Sequence, residues 1–446
     1  MQRGQFSSTF TFVLAAAGSA VGLGNIWGFP TRAAENGGAA FLLMYLVLAF
    51  LLAYPALMAE LIIGRHTRSN MVNALTSISP SKPAKQIGRL TGLAGMLTAS
   101  FILCFYSIVA GWMMGAMIEP LTQVIGLPAV GAWLTEFGLV RNISLAALFM
   151  ILTALVISAG VEQGIEKWSR RLMPSLLVLL VSLIIYVLTQ EGAVAGLKHY
   201  LVPDFSQITN PDLMVSALGQ AFFSMSLGVG TMLIYGSYIG PNENLPRVGT
   251  LVTLTDTGIA FLAGLLVLPA MFVAQNLGVA IYGESGGLIA GPDLIFQVLP
   301  ALFNSMGATG LAVGFAFFVL MSIAAVTSSI SMLEVPVSYA VESHNLTRSR
   351  ATWTIAALIF AFSAGVCLTF EQTFGLVITL TTEWGQPLLS MLLCVFAGWV
   401  FYRDRILSEL QQGNPNVENS LFWKIWPFYV KLVCPLLIVL TIAQSL

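Results

Sequence analysis

Charge is what this chain has least of. Only 9% of its 446 residues are Asp, Glu, Lys or Arg and the net charge is −1, against roughly a quarter charged residues in soluble domains. That shortage excludes a water-exposed globular surface, and the absence of a basic excess argues against a nucleic-acid partner. Histidine is nearly missing as well. His66, His199 and His344 lie in or near loops with no nucleophile–base pattern around them, so no enzyme is expected. The four cysteines, Cys104, Cys367, Cys394 and Cys434, sit inside hydrophobic runs. Their spacing suits neither a metal site nor a disulfide framework, and they read as packing residues. Long polar stretches are absent too: the longest connections, 197–212, 283–292 and 403–419, leave no room for a soluble domain.

What fills the chain is apolar sequence, 57% of it, with a mean hydropathy of +0.86. Eleven apolar runs are centred near residues 20, 50, 105, 150, 178, 225, 260, 322, 358, 388 and 435. They are too long for strands, which predicts an all-α integral membrane protein rather than a barrel. The first run begins after Arg3 and contains "AAAG", a signal-peptide-like feature, but it continues through Trp27 without a clear cleavage site and reads as a retained helix.

If eleven spans alternate, most cations fall on one side: Arg3, Arg65, Arg68, Lys82, Lys85, Arg89, Lys167, Arg170, Arg171, Arg247, Arg348, Arg350, Arg403, Arg405 and Lys424. The other side holds Arg32, Arg141 and Lys198 and is otherwise acidic, with Glu119, Glu136, Glu191, Asp204, Glu284, Asp293, Glu371 and Glu383. The positive-inside rule therefore predicts a cytoplasmic N-terminus and an external C-terminus.

Two runs carry helix breakers at mid-span. The first contains "GSAVGLGNIWGFP", with four glycines and a proline in thirteen residues, and the sixth contains "FFSMSLGVGTM", so that "LGLG" is matched by "LGVG". Paired breaks in corresponding spans of two five-helix halves are the pattern of an inverted-repeat transporter, with the binding site at the breaks. The expected division is one transporter domain: a first repeat over about 9–190, a second over about 212–402, and an eleventh helix over about 421–445. Broken helices free carbonyls for a cation on one side and N–H groups for an anion on the other. At the first break Gly18, Ala20 and Val21 offer carbonyls, Asn25 an amide oxygen, and Leu23 and Gly24 N–H groups. In the eighth span Ala324, Thr327 and Ser328 share a helix face and supply oxygen ligands of the kind hard cations prefer. Asp256 is the most central ionisable residue. Glu60 and Glu334 lie nearer the cytoplasmic ends, as proton carriers or as hydrogen-bond partners of loop backbone, and Glu342 and Arg3 are a candidate pair across the cytoplasmic mouth.

With "AAAGSAVGLGNIWGFP", "AENGGAAF", "AELIIGR", "GQAFFSMSLGVG", "YGSYI", "TSSISMLEVP" and "GLKHYLVPDFSQI" on the page, the chain resembles bacterial members of the neurotransmitter:sodium symporter family over essentially its whole length. The resemblance implies the leucine-transporter fold and a sodium-coupled symporter of the bacterial inner membrane, importing a neutral, hydrophobic or aromatic amino acid. It implies one sodium held by Ala20, Asn25, Ser224 and Asp256 and a second held by Gly18, Val21, Ala324, Thr327 and Ser328. The substrate carboxylate would meet Leu23, Gly24 and Tyr106, and its amine the carbonyls of Ala20 and Phe223 and the Ser226 hydroxyl. Ile102, Tyr106, Phe223, Val229, Ser328 and Met332 would line the side-chain pocket, with Phe223 and Tyr106 as its lid. Val229 stands where an aromatic residue occurs in the leucine transporter, leaving room for a bulky side chain.

Two departures stand out. The family's gate arginine after "NIW" is replaced by Gly28, and the tenth span has no obvious aspartate to meet it; Arg32 with Glu371 or Glu383 is the candidate substitute. The residues that surround chloride in chloride-requiring members are here Tyr45, Gln220, Ser224 and Ala260, and a fixed charge at Asp256 predicts chloride-independent transport. A symporter of another small zwitterion, amine or osmolyte, and in a different class a channel or a substrate sensor, are the alternatives at this level. No filter-like repeat favours the channel.

Overall fold

The computed structural model describes residues 4–208, 210–283 and 287–444; Arg3 and Glu284 lie outside them. Among the described residues, eight helices are long and apolar enough to span a bilayer: Ala39–Thr67, Lys82–Val124, Leu139–Ser158, Val161–Leu188, Leu245–Asn276, Gly307–His344, Arg348–Leu368 and Leu421–Leu440. Two more arise as bent pairs. Thr9–Ala20 with Gly24–Glu35 turns by 54°, and Phe370–Val400 meets Arg403–Gly413 at 100°. The eleventh, sixth in chain order, is interrupted between Pro211–Ser224 and Thr231–Gly236. Its halves are each too short to qualify by length, which is the expected signature of a mid-membrane break. The eleven predicted spans are thus all present, numbered 1 to 11 below in chain order.

Span 1 starts on a reciprocal cap. Ser8 Oγ accepts from the Thr11 N–H at 3.2 Å while Thr11 Oγ1 accepts from the Ser8 N–H at 3.1 Å, satisfying two donors that a helix start leaves open. It stops at Ala20 and resumes through a wide turn over Gly24–Gly28. Span 6 breaks more sharply. Ser226, Gly228 and Gly230 all adopt left-handed backbone, with φ of 53°, 84° and 82°. At Gly228 a side chain has no space, because a Cβ would stand 2.4 Å from the Gln386 carbonyl. Ser226 has no such exemption, and a left-handed non-glycine residue costs about 1–2 kcal/mol. It is held by Thr231 Oγ1, which donates to its carbonyl at 2.6 Å, and by its own hydroxyl, which donates to the Ser19 carbonyl at 3.0 Å.

Segments expected on the cation-rich side meet at one end of the bundle. The Phe6 N–H donates to the Tyr238 carbonyl, Ser7 donates to Glu166, Thr9 to Glu243, and Arg65 to the Glu243 carbonyl. The Arg65 guanidinium, fully buried, pairs with Glu409 at 2.6 Å and so ties span 2 to Arg403–Gly413. The four cysteines are free and buried, as packing residues should be.

Candidate functional site

The two breaks face each other. Ser226 of span 6 bonds the Ser19 carbonyl of span 1, and the Phe223 ring lies over Gly24, 3.2 Å from where a Cβ would be. Span 3 closes one side: the Leu23 N–H donates to the Tyr106 hydroxyl at 3.2 Å. Span 8 closes another, with Ser328 Oγ donating to the carbonyls of Gly18 at 3.3 Å and Ser19 at 3.0 Å. One freed N–H and two freed carbonyls of the first break therefore have partners on three other spans, which answers the requirement that no backbone group in a membrane interior stay unpaired.

Beside the break lies a carboxylate, Asp256, wholly buried. It accepts from Asn25 Nδ2 at 2.8 Å, from Ser224 Oγ at 2.9 and 2.7 Å, and from the Tyr45 hydroxyl at 3.3 Å. With its amide nitrogen fixed by Asp256, Asn25 points its Oδ1 at no donor, although the residue is fully buried. A buried oxygen without a donor, next to a carboxylate, is a place for a cation. Gln220, one turn before Ser224, donates to the Gly24 carbonyl at 2.6 Å, and its Oε1 lies 3.3 Å from where a Cβ on Gly28 would be. The glycine at the missing gate position is thus roofed by an amide rather than by an ion pair.

In the second expected ion set, Gly18 packs on Thr327, whose Cβ would stand 3.3 Å from an added Cβ. Thr327 Oγ1 donates back to the carbonyls of Ile323 and Ala324 at 3.1 and 3.0 Å, which leaves its lone pairs available to a cation. Ala20, Val21, Ala324, Ile102, Val229 and Met332 are all buried in the same core. Ile102 lies one turn from Tyr106, and Met332 one turn from Ser328, so each shares a helix face with its expected neighbour. Of the two expected lid residues, Phe223 covers Gly24 and Tyr106 takes the adjacent Leu23 N–H.

Several contacts were not legible in the sequence. Gly22 is the tightest point of the site, since a Cβ there would lie 2.2 Å from Ser328 Oγ and 2.8 Å from the Tyr106 hydroxyl. Ser19 donates to Ser331 at 2.7 Å. Glu60, left open between proton carrier and backbone partner, accepts from the N–H groups of Gly228 at 2.7 Å and Leu233 at 3.2 Å and so caps the break in span 6. Glu334 accepts from the Tyr238 hydroxyl at 2.6 Å and pairs with Arg348 at 2.5 Å. Glu342 accepts from Ser69 and Asn70; its suggested partner Arg3 lies outside the described residues. Arg32 donates to the Ser216 carbonyl at 3.1 Å, and among the described residues it makes no ion pair with Glu371 or Glu383. The guanidinium is turned onto span 6, so the suggested replacement gate has no direct ion pair here, although the Glu383 charge acts on Arg32 from a distance.

Facing broken helices, a buried carboxylate and an orphaned amide oxygen define an ion-coupled secondary transporter of the membrane. The chain matches the Sodium:neurotransmitter symporter family over residues 3–136 and 127–446. It is 33% identical to the uncharacterized sodium-dependent transporter YhdH of Bacillus subtilis, over 98% of this chain and 96% of that one. It is 30% identical to an uncharacterized sodium-dependent transporter of Haemophilus influenzae, covering 100% and 98%. Among solved structures, MhsT in complex with L-phenylalanine superposes with a TM-score of 0.86 at 34% identity, covering both chains completely. The chain belongs to the sodium:neurotransmitter symporter family. It is a multi-pass, sodium-dependent symporter of a small molecule.

Proposed function

We propose that the chain imports a neutral amino acid with a hydrophobic or aromatic side chain, together with two sodium ions, by alternating access across a bacterial inner membrane. The observation that carries this reading is the buried, donor-free Asn25 Oδ1 beside the Asp256 carboxylate. One sodium is assigned to Ala20, Asn25, Ser224 and Asp256 and shares the substrate carboxylate; the other is assigned to Gly18, Val21, Ala324, Thr327 and Ser328. Both sets are all-oxygen, as a hard cation requires.

Leu23, Gly24 and Tyr106 receive the substrate carboxylate, displacing the present bond between Leu23 and Tyr106, while Ala20, Phe223 and Ser226 receive the amine. Ile102, Tyr106, Phe223, Val229, Ser328 and Met332 bound the side chain. A neutral aliphatic or aromatic group suits that lining, and the phenylalanine in the MhsT structure supports the same class. Because sodium and substrate share ligands, each tightens the other, and the coupling is reciprocal. Spans 1, 2, 6 and 7 rock against the rest, with the N-terminus cytoplasmic and the C-terminus external.

Asp256 already occupies the bonds of Tyr45 and Ser224, which supports transport without chloride. The test is uptake of labelled neutral amino acids into proteoliposomes under a sodium or a potassium gradient. Uptake in sodium alone is expected, and equal uptake in both ions refutes coupling. Thr327→Ala with Ser328→Ala should abolish sodium-dependent substrate binding.

A further inference from the structure

A second site lies away from the breaks, where the helix Pro128–Thr135 joins spans 3 and 4. There a cavity of about 270 Å³ opens between these spans, the segment Leu294–Ser305 and the start of span 8. Its walls are aromatic, from Trp112, Phe137, Phe296 and Phe318, and its charged groups are Arg141 and Glu119. None of the residues assigned to sodium or to the transported amino acid lines it.

Arg141 is the unusual member. It is 3% exposed, and among the described residues no carboxylate pairs with it. Its Nε donates to the Leu134 carbonyl and its Nη1 to Asn142 Oδ1, both at 2.9 Å, and Phe137 packs on the guanidinium at 5.1 Å. Among the described residues Nη2 has no acceptor. The Asn142 oxygen that holds Nη1 also accepts from Trp112 Nε1 at 2.9 Å, so the guanidinium and the indole are fixed by one amide. A buried cation without a counterion is unfavourable unless something anionic reaches it. Glu119, the cavity's other charged group, accepts from Gln123 through one oxygen and forms no ion pair with Arg141 among the described residues. A planar guanidinium edge presented to a cavity is matched by a carboxylate, and rings around it are matched by an apolar body.

We propose that this cavity binds a small organic carboxylate with an aromatic or compact apolar body, its carboxylate on Arg141 and its body among Trp112, Phe296 and Phe318. The ligand reaches the site from water or, as a medium-chain fatty acid, from the bilayer.

The probe is 3-phenylpropionate, titrated calorimetrically into the full-length protein in nanodiscs with potassium replacing sodium, with 3-phenylpropanol as the uncharged control. Saturable binding of the acid and at least tenfold weaker binding of the alcohol are expected, since a charge-assisted bond to a buried guanidinium is worth about that factor. Arg141→Gln should weaken the acid about tenfold or more. Ala116→Phe, which places a ring inside the cavity, should abolish binding. Sodium-dependent stabilisation by amino acids should persist in both variants, showing that they fold and that the two sites are separate. Decanoate competing more tightly than 3-phenylpropionate assigns the bilayer as the source; the reverse order assigns water. No binding by the wild-type protein, equal binding of acid and alcohol, or undiminished binding in Ala116→Phe overturns the proposal.

Discussion

Glu60→Gln tests the cap on the broken sixth span. The break leaves the N–H groups of Gly228 and Leu233 without helical partners, and the two oxygens of one carboxylate, 1% exposed, take both, at 2.7 and 3.2 Å. Glutamine keeps the shape and one acceptor but turns an amide donor toward the second N–H. The variant loses one charge-assisted bond and leaves a buried donor unpaired. These amount to about 1.5–3 and 1–3 kcal/mol, so roughly 3–5 kcal/mol together after partial relaxation. Glu60→Ala removes both acceptors, opens a cavity as well, and should exceed the glutamine variant by on the order of 1–2 kcal/mol.

The assay is the thermal midpoint of purified protein in detergent, without and with sodium plus substrate. A fall of roughly 3–6 °C is expected for Glu60→Gln. Because the break carries the binding groups, ligand-induced stabilisation should shrink in parallel. Midpoints within a degree of wild type, with undiminished ligand stabilisation, would refute a capping role. Full stability with loss only of proton-linked transport would restore the proton-carrier reading.

Other perturbations address the rest of the site. Asp256→Asn removes the charge that Tyr45, Ser224 and Asn25 surround; sodium affinity should fall at least tenfold in chloride-free medium and recover in part with chloride, and no anion effect in uptake assays would disprove the charge-replacement idea. Gly22→Ala pushes a methyl into Ser328 and Tyr106; binding of sodium and substrate should weaken tenfold or more, and the ligand-free midpoint should fall as well, since overpacking costs about 1–3 kcal/mol, as read by thermal shift. At Glu409, burial favours the neutral acid, but hydrogen bonds and charge from His66 and Arg65 outweigh it and hold the carboxyl below its ordinary value. A depressed carboxyl contributes stability that is complete above its unfolded value, near 4.3, and is lost as pH falls through the folded one. The difference in midpoint between wild type and Glu409→Gln should therefore shrink as pH falls below about 4.3; a gap that stays undiminished well below that pH would contradict the assignment.

Composition and run length alone determined that the chain spans a membrane with helices, because hydrocarbon tolerates few charges and demands closed backbone hydrogen bonding. Glycine pairs one residue apart marked where the two spans break, for two different reasons: Gly228 and Gly230 of span 6 take left-handed backbone, whereas Gly22 of span 1 leaves the space that Ser328 and Tyr106 fill. Asn25, Asp256, Thr327 and Ser328 were legible because polar groups within apolar runs need a reason. Only the tertiary structure decided which freed groups have partners. The sequence gives no sign that Tyr106 takes the Leu23 N–H, that Gln220 turns to Gly24, or that Arg32 bonds the Ser216 carbonyl rather than an acid. Likewise Glu60 could be a carrier or a cap until Gly228 and Leu233, about 170 residues away in the chain, were brought to it. Hydropathy and periodicity report the environment of a residue, whereas hydrogen bonds depend on distances of a few tenths of an ångström between segments remote in sequence. Those distances exist only once eleven helices pack.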